Sequence, residues 1–184
     1  MGNSDTSLNG VKVVQPNVIS DPRGFFIERW GYDPSDTVGS SKINQMIHTR
    51  SSQGVVRGLH FQYPRAQDKL VFAVRGTVLD VIVDIRRGSP QFGLYQSVEL
   101  SDQSQTQVWI PQGYAHGFIV LSEFAELLYL ISGNVYVPEE QGIVRWDDPE
   151  IGIEWPKMEN YVISERDRNA PFLKDITGLP TYGD

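Results

Sequence analysis

The chain has no cysteine among its 184 residues, which excludes disulfides, thiolate nucleophiles and zinc held through sulfur. That lack agrees with a reducing cytoplasm. Histidine is scarce, and His48, His60 and His116 stand singly, never as the H-x-H pair that opens a histidine metal site, so no metal is expected. No G-x-x-x-x-G-K or G-x-G-x-x-G loop is present to cradle a phosphate, and no serine nucleophile motif occurs. Apolar runs stay short of a membrane-spanning helix, and the start MGNSDTSLNG has neither the basic nor the apolar region of an export signal. Positive charge is in deficit, with 16 Lys and Arg against 23 Asp and Glu and a net charge of −7. Nucleic acid and anionic membranes are therefore not expected as partners, and an anionic small ligand would need a locally basic pocket. Long helical periodicity is missing too.

What remains is a β pattern. Eleven prolines and 17 glycines punctuate short runs of Val, Ile, Phe, Tyr and Trp. Strands are expected at 10–15, 24–30, 43–49, 55–62, 69–75, 77–86, 92–100, 107–110, 114–121, 125–131 and 143–146. In GTVLDVIVDIRRGSP, Leu79, Val81, Val83 and Ile85 share one face, and Val78, Asp80, Ile82, Asp84 and Arg86 the other. Short helical turns are expected at 32–38 and at 164–168, where Ser164 can cap a turn carrying Glu165 and Asp167. The length suits a single domain over 1–184 with a core of its own. The architecture expected is all-β, a sandwich or jelly-roll barrel with its pocket inside or at its mouth.

The chemistry concentrates in VVRGLHFQYPRAQDK at 55–69. Alternation puts Gly58, His60 and Gln62 on one face and Arg57, Leu59 and Phe61 on the other. If Leu59 and Phe61 pack outward, His60 points into the barrel; Arg57 joins it only if Gly58 marks a bulge. Lys69 opens the next strand, KLVFAVRG. His116 sits in IPQGYAHGFIV among small residues that admit a ligand, and Tyr129 shares a face with Leu127 and Ile131. Taken singly, each has a bland alternative: a hydrogen-bonded histidine, a solvated lysine, a core tyrosine. Together they suit metal-free proton abstraction beside a carbonyl, in which a histidine takes the proton, a cation steadies the enolate and a phenol returns a proton. A sugar-binding module or storage-type barrel without chemistry stays open at this point.

Five separated motifs, DPRGFFIERW (21–30), GVVRGLHFQ (54–62), DKLVFAVRGTVLDVIVDIRRGSPQFG (68–93), WIPQGYAHGFIVLSEFAE (109–126) and WDDPEIGIEWP (146–156), resemble the dTDP-4-dehydrorhamnose 3,5-epimerase family. The resemblance implies a cupin-type jelly roll with short helical segments near the C-terminus and a cytoplasmic homodimer that exchanges N-terminal strands. It also implies a nucleotide-diphosphate sugar as substrate and no metal or organic cofactor. By the same resemblance His60 is the base for C3 and C5 of a 4-keto sugar, Asp167 its partner, Lys69 the enolate-stabilising cation and Tyr129 the proton donor. Arg23, Phe26, Glu28, Gln45, Arg57, His116 and Glu140 fall on substrate-lining positions. The default substrate it implies is dTDP-4-dehydro-6-deoxy-D-glucose. Two departures stand on ligand-contacting positions: Ile47 replaces an amide, and SGNVYVPEEQG moves Tyr136 out of the usual register. They keep alternatives in view, namely epimerisation at C3 or C5 alone, a GDP- or CDP-linked substrate, or a barrel that binds without turnover.

Overall fold

The computed structural model describes residues 7–31 and 42–183, so the turn expected at 32–38 lies outside the described residues. In chain order the strands are β1 (Lys12–Val14), β2 (Val18–Asp21), β3 (Gly24–Ile27), β4 (Ile43–Ser52), β5 (Val55–Gln62), β6 (Gln67–Arg75) and β7 (Thr77–Asp84). They continue with β8 (Tyr95–Ser101), β9 (Gln107–Ile110), β10 (Tyr114–Val120), β11 (Phe124–Gly133), β12 (Gln141–Ile143) and β13 (Val162–Ile163), followed by helix α1 (Glu165–Arg168). Short 3-10 turns occupy Pro138–Glu140 and Leu173–Asp175. One sheet runs β1-β9-β6-β11-β4 and the other β12-β5-β10-β7-β8, with β13 parallel to β5 and β2-β3 forming a separate hairpin. No helix among the described residues is long and apolar enough to cross a membrane.

Alternation decides the layers. Val78 and Ile82 of β7 join Val71, Ala73, Leu127, Tyr129 and Phe118 in the core between the sheets. Val81, Val83 and Ile85 point the other way, where Leu59, Phe61, Ile151, Leu173 and Leu179 cover them. On the outer face of the first sheet, Leu70, Phe72 and Trp109 pack under Val14, Trp30, Leu128 and Leu130. Each fully buried Leu or Ile contributes ~1.5–3 kcal/mol. A one-residue slip would turn every such side chain to the wrong layer, so burial on both faces fixes the register.

The expected strands 55–62 and 107–110 coincide with β5 and β9, and Ser164 caps α1 by accepting from the Asp167 amide at 3.0 Å. Strand β2 was not among the expected elements. Its four residues and most of β3 are exposed, so the hairpin has no buried face for alternation to report. The strand expected at 143–146 lies earlier, at Gln141–Ile143, although Val144 still exchanges both backbone hydrogen bonds with Leu59, at 2.9 and 3.0 Å.

Outward packing of Leu59 turns His60 inward, and a bulge brings Arg57 with it. The β5–β10 register pairs His60 with His116 but Arg57 with Phe118, so β5 carries one extra residue between the paired positions. Gly58 absorbs it at φ +132°, and a Cβ there would meet the Gly117 Cα at 2.5 Å. Gly58→Ala is therefore expected to cost about 3 kcal/mol and to lower Tm by about 6–12 °C in a thermal melt. An unchanged melt would contradict this account of the bulge.

Candidate active site

The cavity lies between the two sheets and has a volume of about 300 Å³. The first sheet lines it with Ile47 and Thr49 from β4, Gln67 and Lys69 from β6, and Tyr129 and Ile131 from β11. The second lines it with Arg57, His60 and Gln62 from β5 and His116 and Phe118 from β10. The candidate base and the candidate acid thus stand on facing walls. Among the described residues, no three His, Asp or Glu side chains gather where they could hold a metal ion.

His60 is oriented from behind. Its Nε2 lies 2.8 Å from Asp167 Oδ1, and Asp167 Oδ2 accepts from the Gly58 amide at 3.4 Å. Burial alone would raise the Asp167 carboxyl, but the His60 hydrogen bond and charge, with the Gly58 and Ser164 contacts, outweigh it and hold the group below the usual range. Asp167 is therefore ionised at neutral pH and fixes the proton of His60 on Nε2, which leaves Nδ1 as the basic nitrogen. The side chains are 24% and 7% exposed, so the pair meets solvent only at the imidazole.

Lys69, His116 and Asp80 form a second cluster. Burial draws the Lys69 ammonium down to about 8, with the Asp80 carboxylate opposing the fall. Burial likewise pushes His116 well below its ordinary value, and the Lys69 and His60 charges add to that, so its imidazole is neutral and keeps one N–H to donate. Asp80 on β7 is wholly buried, with Oδ2 3.5 Å from His116 Nδ1, and neither of its carboxylate oxygens has a hydrogen-bond partner among the described residues. Burial raises its carboxyl far above the usual range, and the Lys69 charge opposes this. Each member of the pair supports the charge of the other. The Tyr129 ring sits 6.0 Å from that of His116, and its phenol is pushed upward, first by burial and then by the Asp80 charge. It is a protonated donor at any physiological pH.

Asp80 is the participant that sequence reasoning assigned no role. Alternation puts it on the face of Val78 and Ile82, which the structure turns into the core between the sheets. A carboxylate among apolar residues in a central strand is costly unless something pairs with it, which is the available signal. Asp80→Asn removes the charge that keeps Lys69 protonated. The alkaline loss of activity should then set in at lower pH than in the wild type, read from the pH profile of kcat. A profile that stays in place would show that Asp80 does not act on Lys69.

Of the other expected site residues, Arg57 and His116 reach the cavity, and Arg57 is steadied by its Nε donating to Ser51 Oγ at 2.9 Å. The remaining ones do not line it. Arg23, with its side chain 90% exposed, pairs with Asp21 at 2.5 Å, and Phe26 is 65% exposed on the β2-β3 hairpin; Glu28 is also exposed. Gln45 Oε1 accepts from the Tyr136 amide at 2.8 Å, and Glu140 is held by Arg65 through contacts of 2.7–2.9 Å. The Gln45 contact seats Tyr136 on the cavity wall despite its shifted position in sequence.

The sequence profile of the dTDP-4-dehydrorhamnose 3,5-epimerase family matches residues 5–175. The chain is 42% identical to the dTDP-4-dehydrorhamnose 3,5-epimerase of Pseudomonas aeruginosa, across 95% of this chain and 97% of that one. It is similar in structure to the dTDP-6-deoxy-D-glucose-3,5-epimerase of Legionella pneumophila in complex with dTDP-4-keto-L-rhamnose, with a TM-score of 0.92, 38% identity, and coverage of 98% of this chain and 97% of that one. It is also similar to a 3'-monoepimerase of Streptomyces bikiniensis in complex with dTDP-quinovose, with a TM-score of 0.89, 33% identity, and coverage of 99% and 93%. With the match spanning nearly the whole chain, and His60, Lys69 and Tyr129 gathered on one cavity, the protein belongs to the dTDP-4-dehydrorhamnose 3,5-epimerase family, and it is an isomerase.

Proposed function

We propose that the protein converts dTDP-4-dehydro-6-deoxy-D-glucose to dTDP-4-dehydro-L-rhamnose by proton transfer at C3 and C5. His60 Nδ1 takes the proton from a carbon next to the 4-keto group. The electron pair moves onto the keto oxygen, where the Lys69 ammonium and the His116 N–H face the developing charge. Tyr129, on the opposite wall, returns a proton to the other face of the same carbon, which inverts it. The observation that carries this reading is the position of His60 and Tyr129 on facing sheets, with Lys69 on the wall beside the phenol.

Arg57 is the cation within the chain available to the diphosphate. We place the protein in the cytoplasm as a homodimer and assign the partner's hairpin the task of bringing Arg23, Phe26 and Glu28 to the cavity. The exposed Ile19, Phe25 and Phe26 of that hairpin, together with an arginine unattached to its own cavity, support the assignment. The test is to offer the dTDP-, GDP- and CDP-linked 4-keto-6-deoxy sugars and read turnover by NMR and binding by thermal shift, since a ligand that binds only the folded state raises Tm. Turnover confined to the dTDP sugar is expected. Preference for GDP or CDP would overturn the nucleotide assignment.

A second reading, inversion at one centre only, is favoured by the similarity to the 3'-monoepimerase. Tyr129→Phe should lower kcat by about 10²-fold or more and leave ligand binding intact, because the ring stays and only the donor is lost. If the variant instead fails to fold, Tyr129 is a core residue and the donor lies elsewhere.

A further inference from the structure

The cavity lining mixes polar groups with apolar ones, and an apolar patch surrounds the phenol of Tyr129. Ile47 is the direct cross-strand partner of Tyr129 between β4 and β11, and Val71 is the partner on the other side, so the three form one inward row. Ile47 packs against the core between the sheets, while Ile131 and Phe118 extend the patch. Its neighbours on the same face of β4 are polar. Gln45 has its carbonyl oxygen engaged by the Tyr136 amide, and Thr49 Oγ1 is buried next to the Tyr129 phenol. Between them Ile47 offers no hydrogen bond to a ligand. A substrate hydroxyl facing it would be buried unpaired, whereas a methyl group would complete the packing.

On the reading given under Proposed function, the sugar carries one apolar substituent, the methyl group on C5, and C5 is also a carbon that must receive a proton. We propose that Ile47 is a specificity-determining residue that seats this C5 methyl beside Tyr129. It holds C5 within reach of the phenol and restricts the cavity to 6-deoxy sugars. Seated in this way the patch touches the C5 substituent, so a change at Ile47 acts on C5 first.

The test compares deuterium exchange at C3 and C5 of dTDP-4-dehydro-6-deoxyglucose in D2O for the wild type, Ile47→Thr and Ile47→Val, with dTDP binding measured separately. Threonine keeps the β-branch that suits a strand and adds the hydroxyl, so it supplies the polar change with little risk to folding. Exchange at C5 relative to C3 should fall about tenfold in Ile47→Thr. It should return to within about twofold of the wild type in Ile47→Val, and dTDP affinity should be unchanged in both. An unaltered C5-to-C3 ratio, an equal fall at both carbons, or a loss of dTDP affinity in its place would overturn the role of Ile47. A wild-type protein that exchanges neither proton would defeat the proposed reaction itself, an outcome separate from these.

Discussion

His60→Asn should abolish exchange and turnover at both C3 and C5, with kcat lower by about 10²–10⁴-fold. Of the two imidazoles that line the cavity, His60 is the one held by a hydrogen-bonded carboxylate, that of Asp167. His116 is neutral because of burial and nearby charge, but its Nδ1 turns toward Asp80. Asparagine can still donate its amide to Asp167, so the partner is not left as an unpaired buried charge and the fold should persist. Unchanged thermal stability and dTDP binding alongside lost turnover would separate the chemical role from a structural one. Appreciable exchange at C3 in this variant would mean that a different group takes the proton there.

Lys69→Met should cost about 10²–10³-fold in kcat, or ~2.7–4 kcal/mol of transition-state stabilisation, because it deletes the charge proposed to face the enolate oxygen. The pH dependence gives an independent check. A lysine is cationic below its pKa, and burial brings that of Lys69 from 10.5 to about 8, with Asp80 opposing the fall. Wild-type activity should therefore decline as pH rises through about 8. Lys69→Met should show a low rate that no longer has this alkaline limb. The fold should tolerate methionine, which has a similar shape and needs no hydration, and without the Lys69 charge the buried Asp80 carboxyl can take up a proton. A limb that survives in the variant would assign it to another group.

Much of this arrangement was legible in the sequence because burial on both faces writes alternation into the strands. Leu59 and Phe61 facing outward are enough to turn His60 inward, and the facing of Leu127, Tyr129 and Ile131 follows from the same rule. Arg57 was ambiguous, since strict alternation sends it outward and only the extra residue at Gly58 returns it. A glycine in a strand suggests a bulge without requiring one. The His60–Asp167 pair joins positions 107 residues apart, and no local pattern reports such a contact; it came from family resemblance. Strand β2 escaped because its residues are exposed on both faces, whereas β3 falls within the strand expected at 24–30. The positions of Arg23, Phe26 and Glu28 away from the cavity could not be read from a motif either, because a motif does not record where its residues stand in the fold.

The most direct test of two facing walls that remove and return protons is an NMR time course of the wild-type protein with dTDP-4-dehydro-6-deoxyglucose in D2O. The account predicts solvent deuterium at C3 and at C5, each with inverted configuration in the product, and neither change with His60→Asn. Product formed with its original protons retained at the inverted carbons, or exchange that proceeds equally well without His60, would contradict it.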